Sequence, residues 1–555
     1  MLNMVITKGK RQRRSKKFPL ILLYIIIPFL AFFSYIYIKD QIPPSTVLGI
    51  FVYVPPKVEY ETFKVSFDEQ IPIEIQDMIK ASVEDIELEG KKRFEFVKKG
   101  EYVIKNSSEG SMYSKEYIPV GHIYWIKSDI SLDDVKGIYV TEKDMELVEY
   151  LAGEKEVVSK EDIVSELKKS EEYIGLVSAG EITDDMKVLS VDGIYPLEEQ
   201  LDTFSFKYVL EDGERREFVS HILSLNMELK YGESSTLDTG NIAKINMSGV
   251  VAISRGLASK MDSLKDYDYP AQSIGKFLAD ADLTHISNEV SFVDGCAVYS
   301  GMRFCSNPKY IDTLKVSGVD IVELTGNHNN DFGASNNAKS IEMYKELGWD
   351  YFGGGLNTKD ASKILYKEVK GNTIAFVGYN YYDTMLSSGA LAAESRAGAN
   401  SYSVAKLTSD ILEARENADV VIVTFQFQEC YSYPSSDVIF PICYKPLSSP
   451  DQKGVFRQAI DLGADVVIGT QAHQPQTYEV YKDGLIFYGL GNLYFDQYRW
   501  IGTRQGLILS LYVKEGKLIQ AKLTPTLMER DLIPRIAKES DRDLLLNLLK
   551  SARTF

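Results

Sequence analysis

The chain has 555 residues, 45% hydrophobic and 25% charged, which is the composition of folded protein and too long for one ordinary core, so two or three domains are expected. Its formal net charge of −17 hides an asymmetry: residues 1–38 hold seven basic and no acidic side chains, leaving 55 basic against 79 acidic residues, −24, in the remainder. A body of that sign repels a polyphosphate backbone, which excludes general DNA or RNA binding.

The basic residues Lys8, Lys10, Arg11, Arg13, Arg14, Lys16 and Lys17 form a tail at 1–17 and precede Phe18–Ile38, 21 residues without a charge. As a helix this run is about 31 Å long at roughly 1.5 Å per residue, the thickness of a bilayer core. Pro19 and Pro28 are tolerated in such a helix. The basic flank predicts a cytoplasmic N-terminus and an extracytoplasmic body. A cleaved signal peptide is the competing reading, but its apolar region is normally shorter, and Ile36-Tyr37-Ile38-Lys39-Asp40 is a poor cleavage site. The expectation is a single-pass signal anchor in the cell membrane. Pro43-Pro44 and Pro55-Pro56 then make 39–59 a stiff, extended linker.

From 60 to 230 helical stretches (Glu69–Ile86, Lys160–Lys169) mix with short strands (Gly137–Thr141, Tyr173–Ser178), an α+β lobe. The segment Tyr173–Ser178 followed by Lys187–Gly193 resembles the closing stretch of a periplasmic phosphate-binding-type lobe; an unrelated α+β spacer is the alternative. Tyr231–Asn241 is polar and rich in Gly, Ser and Thr, and reads as part of a linker over 231–243. Beyond it strands and helices alternate: strands at Ile245–Ile253, Leu283–Ile286, Asp320–Leu324, Val420–Phe425 and Asp465–Ile468, with helices at Ala271–Ala279, Pro308–Ser317, Ala338–Leu347, within 403–417 and at Gly454–Leu462. A hairpin turns at Lys370-Gly371-Asn372, and the late runs Leu485–Tyr488, Gly506–Val513 and Lys517–Leu523 look antiparallel. This rhythm predicts an α/β domain over 244–530, its sheets covered by helices, with a helical tail at 531–555. Four cysteines fall into two short-range pairs, Cys296 with Cys305 and Cys430 with Cys443. Three connectivities are formally open; in an oxidising compartment the local one is favoured.

Polar residues cluster where predicted strands end, the usual place for ligands in an open α/β sheet. The clusters are Asn288-Glu289; Asn327-His328 with Asp331; Gln426-Phe427-Gln428-Glu429; and Thr470-Gln471-Ala472-His473, followed by Asn492 and Asp496. Carboxylate, amide and imidazole groups delivered from separate strands can hold a divalent cation, which activates water or clamps a phosphoryl or acyl oxygen. Read alone, each residue has a plainer role: Glu289 as a cap or ion-pair partner, Asp331 with Gly333 as an Asx-type turn, Asn492 and Asp496 as loop supports, His285 as a packing residue.

In this order the clusters resemble the CapA family, poly-γ-glutamate capsule biosynthesis proteins with a calcineurin-like metallophosphoesterase fold, an α/β/β/α sandwich. The resemblance is carried by Ser287-Asn288-Glu289, Gly326-Asn327-His328 with Asp331-Phe332-Gly333, Ala472-His473 and Leu490–Asp496. It implies Glu289, Asn327 and His473 as metal ligands, His328 as the proton donor or charge stabiliser, and Asn288, Asp331, Gln426, Asn492 and Asp496 as supports. The departures are as informative. Where the family has a metal-binding Asp this chain has Val250, its His-Trp-Gly histidine is Gln426, and Thr470-Gln471 stands where a histidine is common. Valine cannot ligate a metal and glutamine is a weak neutral ligand. One divalent cation (Mn, Zn or Mg) or none is expected, in a protein that binds or assembles an anionic cell-surface polymer such as poly-γ-glutamate, alone or with its synthesis machinery; the alternative is a metal-dependent hydrolase or transferase.

Overall fold

The computed structural model describes residues 62–553 apart from 85, 89–90, 107–111, 299–300 and 429–440. The basic tail, the apolar run at 18–38, the linker at 39–59, Glu429 and Cys430 lie outside the described residues. Among the described residues no helix is long and apolar enough to cross a membrane. The described residues from 62 to 553 form one compact unit, with mixed α/β sheets covered by helices.

Its first part, to Tyr231, holds two five-stranded sheets. Phe63–Phe67, Tyr102–Asn106 and Ser205–Glu211 lie at the centre of one; Gly137–Val140, Tyr173–Val177 and Ile118–His122 lie at the centre of the other. Helix Arg216–Tyr231 buries Val219, Leu223, Met227 and Tyr231, spaced one per turn on a single face. The polar stretch after it is no free linker. Ser235 bridges Lys115, its N–H donating to Ser114 O (2.8 Å), and Leu237 N–H donates to Glu116, so the chain is laid along the lobe as an extra edge. The composition suggested a linker; in the fold, backbone groups of this stretch are satisfied by a neighbouring strand.

In the second part we number strands β1 (Ala243–Ala252), β2 (Leu283–Asn288), β3 (Ile321–Glu323), β4 (Asp350–Phe352), β5 (Leu365–Val369), β6 (Asn372–Asn380), β7 (Val420–Gln426), β8 (Val466–Thr470), β9 (Pro475–Tyr481), β10 (Gly484–Leu490), β11 (Asn492–Phe495), β12 (Gln505–Lys514), β13 (Lys517–Met528) and β14 (Pro534–Ile536). One sheet runs β4-β3-β2-β1-β12-β13-β14, with β11 beside β1; the other runs β5-β6-β7-β8-β10-β9. Strands β1 to β4 are parallel, as are β6, β7, β8 and β10, while the hairpins at the margins are antiparallel. The runs VVIVTF and VVIG supply β-branched residues for strands buried on both faces.

Strand alternation divides these residues between two interfaces. Ile245, Met247, Leu283, Ile321 and Phe352 face Ile374, Phe376, Ile422 and Ile468 across the gap between the sheets. The intervening Val251, Ile286 and Val322 pack under helices Arg255–Leu264, Ile311–Val316 and Ala334–Glu346. Ala375, Val377, Val421 and Val423 pack under Val404–Asn417 and Gln452–Leu462. The order is helix, sheet, sheet, helix. The expected C-terminal tail belongs to this body: β14 extends the first sheet, and Leu545, Leu546 and Leu549 of helix Glu539–Ser551 close the inter-sheet core.

The two parts share a junction. Tyr478 OH donates to Ile123 O (3.2 Å), Val480 N–H to Tyr124 OH (3.0 Å), and Val188 N–H to the Gln520 side chain. Lys187 lies beside it, its ammonium donating to the carbonyls of Trp125 (2.7 Å) and Ile126 (3.4 Å). Loss of hydration pushes its pKa down to about 7. Cys296 and Cys305 form a disulfide; Cys443 is buried and carries no free thiol, while its expected partner Cys430 lies outside the described residues.

Because the folded pKa of Lys187 lies below its unfolded value of 10.5, the unfolded chain holds the extra proton between the two, and stability rises with pH from about 7 towards 10. Melting temperature against pH should show that rise in the wild type and lose part of it in Lys187→Met; an unchanged slope would refute the assignment. Replacing Cys296 and Cys305 by serine frees a short loop and should lower unfolding stability by about 2–3 kcal/mol in a urea titration.

Candidate functional site

Parallel strands present their C-terminal ends at one edge, and in both sheets that edge carries the polar clusters. Glu289 directly follows β2, while Asn327 and His328 lie in the turn after β3. Gln426 and Thr470 are the last residues of β7 and β8 and pair in register. The sheet packing therefore brings groups from four strands to one place.

Glu289 and Gln426 are wholly buried. The Gln426 Nε2 group donates to Glu289 Oε1 (3.2 Å) and to Asn327 Oδ1 (3.2 Å), and Thr470 Oγ1 lies 3.1 Å from Gln426 Oε1. Thr470 Oγ1 also lies 3.4 Å from Glu323 Oε1, which accepts from Thr325 Oγ1 as well. The Glu323 Oε2 atom is 3.2 Å from His285 Nε2. His285 thus does more than pack: its ring meets Phe352 at 5.7 Å while its nitrogen faces a buried carboxylate. Neither Glu323 nor His285 stands in a motif, since each sits inside an apolar strand pattern, and only the inter-strand register brings them together.

His328 forms a second group. Its Nδ1 lies 2.7 Å from Asp331 Oδ2, which also accepts the Phe304 N–H at 2.7 Å. A carboxylate only accepts, so Nδ1 carries the hydrogen and Nε2 is left as the working face of the ring. The Asx-type turn expected of Asp331 with Gly333 is not formed: the Asp331 N–H donates to His328 O (3.1 Å), Gly333 N–H donates to Asn330 O (2.9 Å), and the Asp331 carboxylate orients the imidazole. The Arg303 guanidinium donates to Asp331 O and lies over Phe332, 4.9 Å from its ring centre.

His473 is held in the same manner, Nδ1 2.9 Å from Asn492 Oδ1, while Asn492 Nδ2 donates to Thr503 O (2.9 Å). Phe304 and Phe495 connect the two imidazoles: Phe304 is 4.3 Å from the His328 ring, Phe495 is 5.3 Å from the His473 ring, and the two phenyl rings are 5.8 Å apart. Arg255 rests on both phenyl rings, at 4.7 and 4.8 Å, a cation–π arrangement. Its Nε donates to Asp496 Oδ1 (2.9 Å), and Asp496 Oδ2 accepts the Gly256 N–H (2.7 Å). Arg255 escaped the sequence reading. Its signal is positional: it begins the helix after β1 with a left-handed φ of 46°, a conformation that a non-glycine residue adopts only under constraint.

Asn288 turns the other way, donating to Val290 O (2.8 Å) and to Tyr344 OH (2.9 Å) beneath the helices, so it supports the loop from behind. Gly249 lets β1 approach the end of β10, since a Cβ there would lie 2.0 Å from Gly491 O. The next residue, Val250, is wholly buried in an apolar cluster with Ala252, Val290, Phe304 and Phe495.

The residues at the expected metal positions do not fit a divalent cation. Such an ion wants several oxygen or imidazole ligands converging on one point. Here two of the prospective ligand oxygens, on Glu289 and Asn327, already accept hydrogens from one amide, and the Val250 position is hydrocarbon. Among the described residues no three His, Cys, Asp or Glu side chains converge as a metal-holding group.

Residues 244–497, which contain all of these groups, match the family described as "Bacterial capsule synthesis protein PGA_cap". The chain is 32% identical over 210 residues to "Capsule biosynthesis protein CapA" of Bacillus anthracis, covering 37% of this chain and 47% of that one. It is 27% identical over 221 residues to "PGA biosynthesis protein CapA" of Bacillus subtilis (strain 168), covering 40% of this chain and 54% of that one. The chain therefore spans about half the length of these relatives. Among solved structures, a 5'-nucleotidase precursor from Thermus thermophilus shares 10% identity over 56% of this chain and 59% of that one, with a TM-score of 0.32, too remote a likeness to bear on fold or function. Residues 244–497 are therefore similar to the bacterial capsule synthesis proteins of CapA type, and the remainder of the chain lies outside that likeness.

Proposed function

We propose that the chain is a membrane-anchored, extracytoplasmic capsule protein that binds or helps assemble an anionic polymer such as poly-γ-glutamate at the cell surface. The match of 244–497 to the capsule synthesis family carries this reading. The uncharged run at 18–38 behind a basic tail supports the anchor and its orientation. The helix–sheet–sheet–helix order is the one expected of a metallophosphoesterase-type domain, and the ligand substitutions separate this cleft from a metal-dependent one. What the cleft offers instead is recognition chemistry. Arg303 stands near His328 on a body that is otherwise acidic, a cation able to attract carboxylates towards the strand ends, whereas Arg255 is already paired with Asp496.

One observation favours a second reading, an acid–base hydrolase or transferase. The Asp331–His328 pair fixes the imidazole with Nε2 directed away from its carboxylate, as a proton donor or acceptor would need.

The two readings separate on the full-length protein in detergent. The binding reading expects retention of poly-γ-glutamate that weakens with salt, and up to about fivefold weaker binding in Arg303→Ala, the size of an exposed ionic contact. It also expects no turnover of the polymer or of phosphoesters with Mn²⁺ or Zn²⁺ present. Turnover that His328→Ala abolishes would overturn it in favour of the second reading. The anchor is tested apart from both: alkaline carbonate should leave the protein in the membrane pellet, and its release would refute the anchor.

A further inference from the structure

We propose that the Gln426 carboxamide takes the place of a bridging cation in this cleft, holding Glu289 and Asn327 together so that the strand-end site folds and keeps its shape without any divalent metal. How the site is built is a separate matter from the polymer it binds, and the two can fail independently.

The problem the site must solve is a carboxylate out of water. Glu289 is wholly buried, and a buried carboxylate is costly unless charge or hydrogen-bond donors meet it. A metal would meet it with charge. Gln426 meets it with N–H groups instead, and a carboxamide has two, one for Glu289 Oε1 and one for Asn327 Oδ1, each at 3.2 Å. The orientation of the amide is dictated by its surroundings. The Glu289 carboxylate can only accept, so Nε2 must face it, and Oε1 is left towards the Thr470 hydroxyl at 3.1 Å. Behind Thr470 the second buried carboxylate, Glu323, accepts from Thr325 Oγ1 at Oε1, while its Oε2 lies 3.2 Å from His285 Nε2 without a hydrogen bond. One oxygen of each carboxylate thus accepts a hydrogen bond from this chain, Glu289 Oε1 from Gln426 and Glu323 Oε1 from Thr325.

The position of the missing family aspartate is hydrocarbon. Val250 comes to the cleft from β1 and is packed among Ala252, Val290, Phe304 and Phe495. A cation entering between Glu289 and Asn327 would have to displace both amide hydrogen bonds and then face the positive end of the Gln426 dipole. It would gain no ligand from Val250.

The isosteric variant Gln426→Glu tests this directly. It keeps the side chain's shape, removes both donors and sets a second carboxylate against Glu289, so that three oxygen atoms, two of them anionic, face one another. That is a cation site made by exchanging one nitrogen for one oxygen. Melting of the full-length protein in detergent should be the same for the wild type in excess EDTA and in excess Mn²⁺ or Ca²⁺, and the purified wild type should hold less than a tenth of an equivalent of Mn, Zn or Ca, where roughly one equivalent would mark a resident ion. Gln426→Glu should melt at a lower temperature in EDTA and recover with either cation. Gln426→Leu, which loses the donors without adding charge, should melt lower in both conditions. One equivalent of metal in the wild type, or a wild-type melting temperature that falls in EDTA, would overturn the proposal. So would a Gln426→Glu protein as stable as wild type in EDTA. If that variant does not accumulate, the wild-type metal content and its EDTA response decide the matter alone. A metal-dependent wild type that still binds poly-γ-glutamate would sink this inference and leave the proposed function standing.

Discussion

The apolar seam between the two sheets is the interaction on which the cleft depends. Ile245, Met247, Leu283 and Ile321 on one side and Ile374, Ile422 and Ile468 on the other hold two sets of parallel strands face to face. Their direction of travel then puts the ends of β2, β3, β7 and β8 at a common edge. Residues more than a hundred positions apart, Glu289 and Gln426 among them, meet there because hydrocarbon far beneath them is removed from water. Weakening that seam would shift the strand ends against one another, and hydrogen bonds of 3.2 Å tolerate little displacement.

Across the seam runs a polar thread, from Glu323 through Thr470 and Gln426 to Glu289 and Asn327. A thread of this kind contributes modestly when complete and costs about 1–3 kcal/mol for each group left unpaired. Its members are therefore constrained as a set, and a substitution at one position is tolerated only if its neighbours stay satisfied. The replacement of a ligand-type residue by Gln426 fits that logic: the carboxamide is neutral, wholly buried and still able to bind both oxygens it faces. The second cluster obeys a different rule. His328 and His473 are each oriented from Nδ1 by an oxygen acceptor and separated by the Phe304 and Phe495 rings, so their placement rests on packing as much as on polarity.

Legibility varied with the range of the interaction. The helix at Ala334–Glu346 and strands β7 and β8 fell where apolar periodicity put them, to within a few residues, because local propensity and burial agree there. Asp331 was read as an Asx-type turn with Gly333, but its carboxylate is drawn instead to His328 and the Phe304 N–H, a partner 27 residues away that no local pattern shows. Tyr231–Asn241 misled, since composition cannot reveal that a neighbouring strand edge is waiting for those backbone groups. The C-terminal helix likewise looked like a tail until its leucines, at Leu545, Leu546 and Leu549, were found capping the inter-sheet core.

By itself, the amino-acid sequence determined the strand–helix order and the residue types at the strand ends, Val250 and Gln426 among them. Those properties follow from local spacing and side-chain chemistry, which a linear chain carries openly. Tertiary structure alone decided what the substitutions mean. The Gln426 amide nitrogen lies against Glu289 and Asn327, Val250 points into hydrocarbon, and Arg255 is held between two phenyl rings. Each of these depends on the register and packing of strands distant in the chain, and hydrogen-bond partnership is set at distances near 3 Å, far finer than any sequence pattern resolves.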